Sequence, residues 1–337
     1  MDREKRKQLV VTFNKESKLK IDISYVIPCY RSEITIRDVV TEIKETMSKR
    51  PQLSYEIILV NDGSPDKVWE VICEIANNNN NVIGINLAKN FGQHCALMAG
   101  YNEANGEVIV SLDDDGQTPA CEVYSLIDKL DEGYDVVYAT YPEIRQDLFR
   151  RLGSRFANRV GDIMLEIKDE HPIGSSYFAM RRFVMNEITR YGHPYPYVGG
   201  LVYRTTRNIA YVTVNHRSRV CGHSGYNLKS LFHHWLNGFT AFSVKPLEFG
   251  AYIGFGFAIV GFVVALITIV MKLVQPGRQA GWSSIISAIL IIGGLIMTML
   301  GLIGEYIGRI YICINSAPQY VIREVVCNGE NGACTNG

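Results

Sequence analysis

The chain has 337 residues, 47% of them hydrophobic, and its 34 basic and 34 acidic side chains cancel to a formal charge of zero. A neutral balance leaves no electrostatic footprint for nucleic acid, and the length suits about two domains. Eight scattered cysteines, with no CxxC pair and no His/Cys metal spacing, exclude a zinc ribbon. Cys29, Cys73, Cys95 and Cys121 are expected to be reduced, mostly buried thiols.

Residues 1–22 are charged, without the apolar core of a signal peptide, and are read as an N-terminal extension. From Ile23 onward, strand and helix patterns alternate. Residues 23–27 form an apolar strand that ends in Pro28-Cys29-Tyr30, and 35–49 have helical periodicity through Ile36, Val39, Val40 and Ile43. A second strand at 56–60 runs into Asn61-Asp62-Gly63-Ser64-Pro65, a dense cluster of turn formers. A helix is expected over 66–76, a strand over 82–87, a helix over 93–105 and a strand over 108–112. A helix over 120–130 and strands over 136–139 and 210–214 follow. This alternation predicts an α/β fold, a parallel sheet covered by helices.

Three of the strands end in loops rich in Asp, Asn, Gly or Pro, at 28–33, 61–66 and 113–119. In a parallel sheet such loops gather at one edge and can share a ligand. The last of them reads DDDGQTP. Carboxylates crowded at a strand end repel one another unless a cation sits among them. Asp113, Asp115 and Gln117 are therefore read as oxygen ligands of a divalent metal carrying a phosphorylated substrate; an acidic turn capping the next helix is the plainer alternative. Neither a G-x-G-x-x-G fingerprint nor a Walker A lysine loop is present, which argues against dinucleotide and ATP sites.

The stretch 146–165 is basic and amphipathic, with Arg145, Arg150, Arg151, Arg155 and Arg159 between apolar residues. An anionic membrane surface, a phosphate or plain solvent would each suit those arginines. HRSRVCGHSGY at 216–226 is a second polar cluster, with Arg217 and Arg219 placed to lie over phosphates. The stripe Leu231, Phe232, Trp235, Leu236, Phe239 and Phe242 predicts an in-plane interfacial helix over 229–246, ended at Pro246. Residues 249–271 and 279–304 contain no charged side chain, so two transmembrane helices are expected within 247–308. Flanking Lys and Arg favour both termini in the cytoplasm, and 309–337 is read as a cytoplasmic tail.

Four motifs, VIPCY at 26–30, VNDGSPD at 60–66, KNFGQH at 89–94 and DDDGQTP at 113–119, resemble those of glycosyltransferase family 2. With HRSRVCGHSGY, the apolar helices and GEYIGRIY at 304–311, the chain is similar to the polyprenyl-phosphate glycosyltransferases over roughly residues 23–323. The resemblance implies a GT-A, Rossmann-like catalytic domain over 23–228 that joins a nucleotide sugar, UDP-linked by preference, to undecaprenyl phosphate. It implies Mg2+ or Mn2+ as cofactor, membrane lipids as surroundings, a homo-oligomer, and a multi-pass protein of the bacterial cytoplasmic membrane. By position, Pro28, Tyr30, Glu33 and Asp62 would hold the nucleoside, with Asp62 on the base. Lys89, Asn90, Gly92 and Gln93 would be further substrate contacts, as would Asp114, Arg145 and Arg151. Asp113 and Asp115 match the family's D-x-D, with Gln117 beyond it. Arg219, with Gly222, Ser224 and Tyr226, would cover the diphosphate or the acceptor phosphate. Two departures stand out. The middle residue of D-x-D is itself an acid, so the metal-facing pair is ambiguous, and Arg31-Ser32 replaces residues of the usual Y-N-E. The rivals are an inactive sugar-nucleotide sensor or scaffold and a processive family 2 synthase, whose Q-x-x-R-W motif is absent.

Overall fold

The computed structural model describes residues 21–141, 175–215, 217, 245–274, 282–315 and 317–328. Eight strands form one sheet: β1 Ile23–Cys29, β2 Tyr55–Asn61, β3 Val82–Leu87, β4 Val108–Ser111, β5 Val136–Thr140, β6 Phe178–Arg181, β7 Ile209–Thr213 and β8 Ile322–Cys327. Their order across the sheet is β7-β5-β6-β4-β1-β2-β3-β8. β1, β2, β3 and β4 are mutually parallel where they pair, as are β5 and β7; β6 is antiparallel to β4 and β5, and β8 to β3. This is the mostly parallel, Rossmann-like α/β sheet of the GT-A class.

Helices cover both faces. α1 Ile36–Ser48, α2 Val68–Asn77 and α4 Val123–Asp131 pack on one, α3 Gln93–Glu103, α5 Arg182–Thr189 and α6 Val198–Thr205 on the other. β1 is buried at every position because helices lie above and below it. α1 instead buries one face, the stripe Ile36, Val39, Val40, Ile43 and Met47 with Thr46 beside it. α3 is buried from Cys95 to Tyr101; at Gly100 it lies so close to Val26 that a Cβ would overlap the valine side chain. Pro28 is tolerated in a central strand for a geometric reason. The Leu112 N–H donates to the Val26 carbonyl, whereas Pro28, two residues on and facing the same side, lies beyond the end of β4.

Two long helices follow, α7 Lys245–Val274 and α8 Trp282–Ile314. Among the described residues one segment, Ile291–Ile314 of α8, is long and apolar enough to cross a membrane; α7 carries a shorter apolar stretch, Gly250–Val263. Two full spans are thus not seen, although Phe255 and Phe262 on α7 and Ile289 and Met297 on α8 all project without protein cover. The interfacial helix expected over 229–246 lies outside the described residues except at its end, where Lys245 and Pro246 begin α7. Residues 309–337, read from the sequence as a tail, contain the end of α8 and the whole of β8.

Candidate active site

The loops that follow β1, β2, β3 and β4 meet at one end of the sheet and are laced together by hydrogen bonds. Between the first two, Arg31 N–H donates to Ser64 Oγ (2.8 Å), Glu33 N–H to Asp66 Oδ2 (3.1 Å) and Lys67 N–H to Glu33 Oε2 (2.9 Å). Ser64 Oγ donates in turn to Asp66 Oδ1 at 2.5 Å. Arg31 holds φ at +58° in this arrangement, a left-handed backbone uncommon outside glycine. Its guanidinium lies 5.4 Å from the centre of the exposed Tyr30 ring.

Asp62 ties the second loop to the third. One carboxylate oxygen accepts from Phe91 N–H at 2.7 Å and the other from Gly92 N–H at 2.9 Å. Burial pushes the Asp62 carboxyl above its usual range, and these two donors pull it back in part. Gly63, at φ +58°, sits against the backbone of Lys89 and Asn90, where a Cβ would collide with main-chain atoms. The ammonium of Lys89 lies 5.0 Å from the centre of the Phe91 ring.

The three aspartates separate. Asp114 turns inward: its Oδ2 accepts from Tyr30 N–H at 2.9 Å, and its carbonyl accepts from Thr35 Oγ1 at 2.7 Å. Burial raises the Asp114 carboxyl to about 6, against the opposing pull of Ser32 and the Tyr30 N–H. All three aspartates are half-buried. Asp113 accepts from Gln93 Nε2 at 3.1 Å and from Ser176 Oγ, and Asp115 Oδ1 accepts from Gln117 N–H at 3.1 Å. Within DDDGQ the middle carboxylate thus braces the β1 loop, while the first reaches Gln93 and Ser176 and the third stays within its own turn.

Two further connections reach this edge. Arg217 N–H donates to the Gln117 carbonyl at 2.7 Å, and its guanidinium makes a two-pronged pair with Glu42 at 2.9 and 3.0 Å. Arg217, expected over a phosphate, is thus committed to a carboxylate that also accepts from Ala120 N–H. On the other side, Thr118 Oγ1 and Ser175 Oγ both contact the Tyr141 hydroxyl, at 2.9 and 3.2 Å.

The structure thus brings Pro28, Tyr30, Glu33, Asp62, Lys89, Asn90, Gly92, Gln93, Asp113, Asp114, Asp115 and Gln117 to one sheet edge. Arg145, Arg151, Arg219, Ser224 and Tyr226 lie outside the described residues. Ser64, Asp66, Glu42 and Ser176 hold the edge together and were not singled out from sequence. Asp66 had a signal in the turn-forming run it closes, while Glu42 and Ser176 act on residues remote in the chain. Of the four thiols expected to be mostly buried, Cys29 and Cys95 are buried, Cys73 is partly so and Cys121 is exposed; all four are free.

Residues 24–189 match the model of glycosyl transferase family 2, and residues 245–310 match that of the GtrB C-terminal hairpin. The chain belongs to glycosyl transferase family 2. It is a glycosyltransferase that carries the GtrB-type hairpin. An uncharacterized glycosyltransferase of Bacillus subtilis, YkcC, is 33% identical over 90% of this chain and 94% of its own length. The undecaprenyl-phosphate 4-deoxy-4-formamido-L-arabinose transferase of Yersinia enterocolitica is 32% identical over 90% of this chain and 93% of its own. A solved glucosyl-3-phosphoglycerate synthase of Mycobacterium tuberculosis, in complex with Mn2+ and UDP-glucose, is 20% identical with a TM-score of 0.45 over 64% of this chain and 75% of that one.

Proposed function

We propose that this glycosyltransferase moves a sugar from a nucleoside diphosphate, UDP by preference, onto undecaprenyl phosphate at the cytoplasmic face of the bacterial inner membrane. The observation that carries the reading is that the described chain flanking the apolar helices meets the same sheet edge on both sides. Before α7, residue 217 is bonded to the DDDGQ loop; after α8, residue 321 is bonded to Ala88 at the head of the β3 loop. Six residues, 315–320, lie between the end of α8 and Val321, which limits that distance to about 25 Å. A lipid-linked acceptor that cannot leave the bilayer would meet the donor at such an edge. That β8 follows the helices yet belongs to the same sheet as β1–β7 supports a hairpin whose two ends share one side of the membrane. Flanking basic residues favour the cytoplasmic side.

The donor set fits a hard divalent cation, Mg2+ or Mn2+: Asp113 and Asp115 offer carboxylate oxygens at the open edge, with Gln117 adjacent. Bound there, such an ion would neutralise charge on the diphosphate leaving group. Asp62, already fixing the β3 loop, keeps further lone pairs for a ring N–H of the base. Tyr30 offers an exposed ring for stacking. Arg219 follows Arg217 by two residues and opens the family's R-x-x-G-x-S-x-Y pattern. This favours its placement over the phosphates. The nucleophile is a phosphate oxygen, whose last pKa near ~6 leaves it largely anionic at neutral pH. It needs no general base, and in-line attack inverts the anomeric carbon.

A panel of nucleotide sugars, incubated with membranes holding the protein and undecaprenyl phosphate, with and without EDTA, tests the reading. A lipid-linked product that EDTA suppresses is expected; absence of product from every donor overturns it.

A further inference from the structure

β8 lies on the far side of the hairpin in sequence, yet it is wired into the loops read as the nucleotide site. It pairs antiparallel with β3, Ile322 opposite Leu87, so its first residues sit where the β3 loop departs. The peptide of Ala88 is held from both sides by this returning chain: its N–H donates to the Val321 carbonyl, and the residue's carbonyl accepts from the Arg323 guanidinium, each at 2.8 Å. A second line of bonds crosses the sheet. Glu324 Oε1 accepts from Asn86 Nδ2, and Asn86 Oδ1 accepts from Asn61 Nδ2, both at 2.8 Å. Asn61 Oδ1 then accepts from Ser64 N–H at 3.1 Å. Ser64 is the residue whose Oγ receives the Arg31 N–H and donates to Asp66.

The line has a direction. Asn61 and Asn86 are buried, so water does not readily substitute for a lost partner. A carboxylate at 324 accepts only, which turns the Asn86 amide so that its oxygen faces Asn61, and Asn61 in turn presents its oxygen to Ser64. Reversing the first member would reverse the whole row and set the Asn61 NH2 group against the Ser64 N–H.

We infer that Glu324 and Arg323 are positioning residues for the donor site, through which the strand after the membrane hairpin sets the β1, β2 and β3 loops. The inference rests on the reading of those loops as the nucleotide site. It is tested on the full chain in detergent or nanodiscs by UDP and GDP binding and by donor and acceptor KM. Glu324→Lys should weaken nucleotide binding about tenfold or more, as loss of a hydrogen bond to a charged group would. Glu324→Ala and Arg323→Ala should weaken it less, and Glu324→Gln, which keeps an acceptor oxygen, should restore it to within about twofold. KM for the polyprenyl phosphate should stay within about twofold throughout, whereas a merely structural role would lower the yield of active protein and leave donor KM alone. If Glu324→Lys does not accumulate, Glu324→Ala against Glu324→Gln carries the test. Wild-type binding of UDP or GDP with unchanged affinity in Glu324→Lys, or with equal affinity in Glu324→Ala and Glu324→Gln, overturns this inference alone. Failure of the wild type to bind either nucleotide overturns the nucleotide-site reading and this inference with it.

Discussion

The two ends of the parallel sheet both carry carboxylates, and they use them in opposite ways. At the end where β2 begins, Glu56 is buried and saturated: it accepts from Ser24 Oγ at 2.6 Å, from Asn105 N–H at 2.5 Å and from Asn105 Nδ2 at 3.4 Å. Ser24 Oγ in turn accepts from Gly106 N–H at 2.7 Å, which closes the network on itself. At the end where β4 stops, three half-buried aspartates stand in a row, and the middle one accepts from the Tyr30 N–H of the β1 loop. The first arrangement spends its carboxylate on the fold; the second crowds three carboxylates at one strand end, and a cation there would relieve their repulsion.

Asp115→Asn is the sharpest way to break that comparison. It removes one of the two carboxylates proposed to hold the metal, and sugar transfer should fall by about 10³-fold, roughly 4 kcal/mol of transition-state stabilisation. The melting temperature should hold or rise, because a repulsive charge is gone. Full activity in membranes would remove the metal role from Asp115. Glu56→Ala should do the reverse: about 3 kcal/mol of stability lost to unmet buried donors, read by thermal or urea unfolding, with donor KM within about twofold. A raised donor KM would show the two ends to be coupled after all. Gly63→Ala comes next. The new Cβ would press on the Lys89 and Asn90 backbone at a positive φ, and the strain should cost about 2 kcal/mol, raising donor KM more than it lowers the melting temperature.

How much of this was legible beforehand differs between the same two ends. β1 to β5 announced themselves because each is a short apolar run bounded by turn formers. β6, α5 and α6 did not. β6 has four residues, and α6 opens on Val198-Gly199-Gly200 just after Pro196, a poor helix sequence that tertiary packing overrides. β8, IREVVC, has strand character, but its partner β3 lies more than two hundred residues away and two long helices intervene. The acidic edge was legible as chemistry, in the DDDGQ run and the turn-rich loops. Its wiring was not: which aspartate turns inward depends on the Tyr30 N–H, and no local pattern encodes a contact that distant. Asp62 shows the same limit, since its position beside the base was an expectation and its grip on the Phe91 and Gly92 N–H groups emerges only from the fold.

Arg217 and Arg219 offer the finest form of the comparison, because sequence reading gave the pair one role. The Arg217 guanidinium is half-exposed and faces Glu42, with side-chain exposures of 50% and 27%. Solvent screens such a pair, and its two-pronged geometry lifts it only to the upper end of the surface range, about 1 kcal/mol. Its backbone bond to Gln117 survives any substitution except proline. Arg217→Ala should therefore loosen the loop that bears Gln117 and slow transfer by no more than about fivefold, with the same dependence on added Mg2+ or Mn2+. Arg219→Ala, in the same assay, should slow transfer by about 10²-fold or more if its guanidinium faces the phosphates as proposed. Equal losses from the two variants would return Arg217 to the substrate and show the Glu42 pair to be a resting contact exchanged when the donor binds.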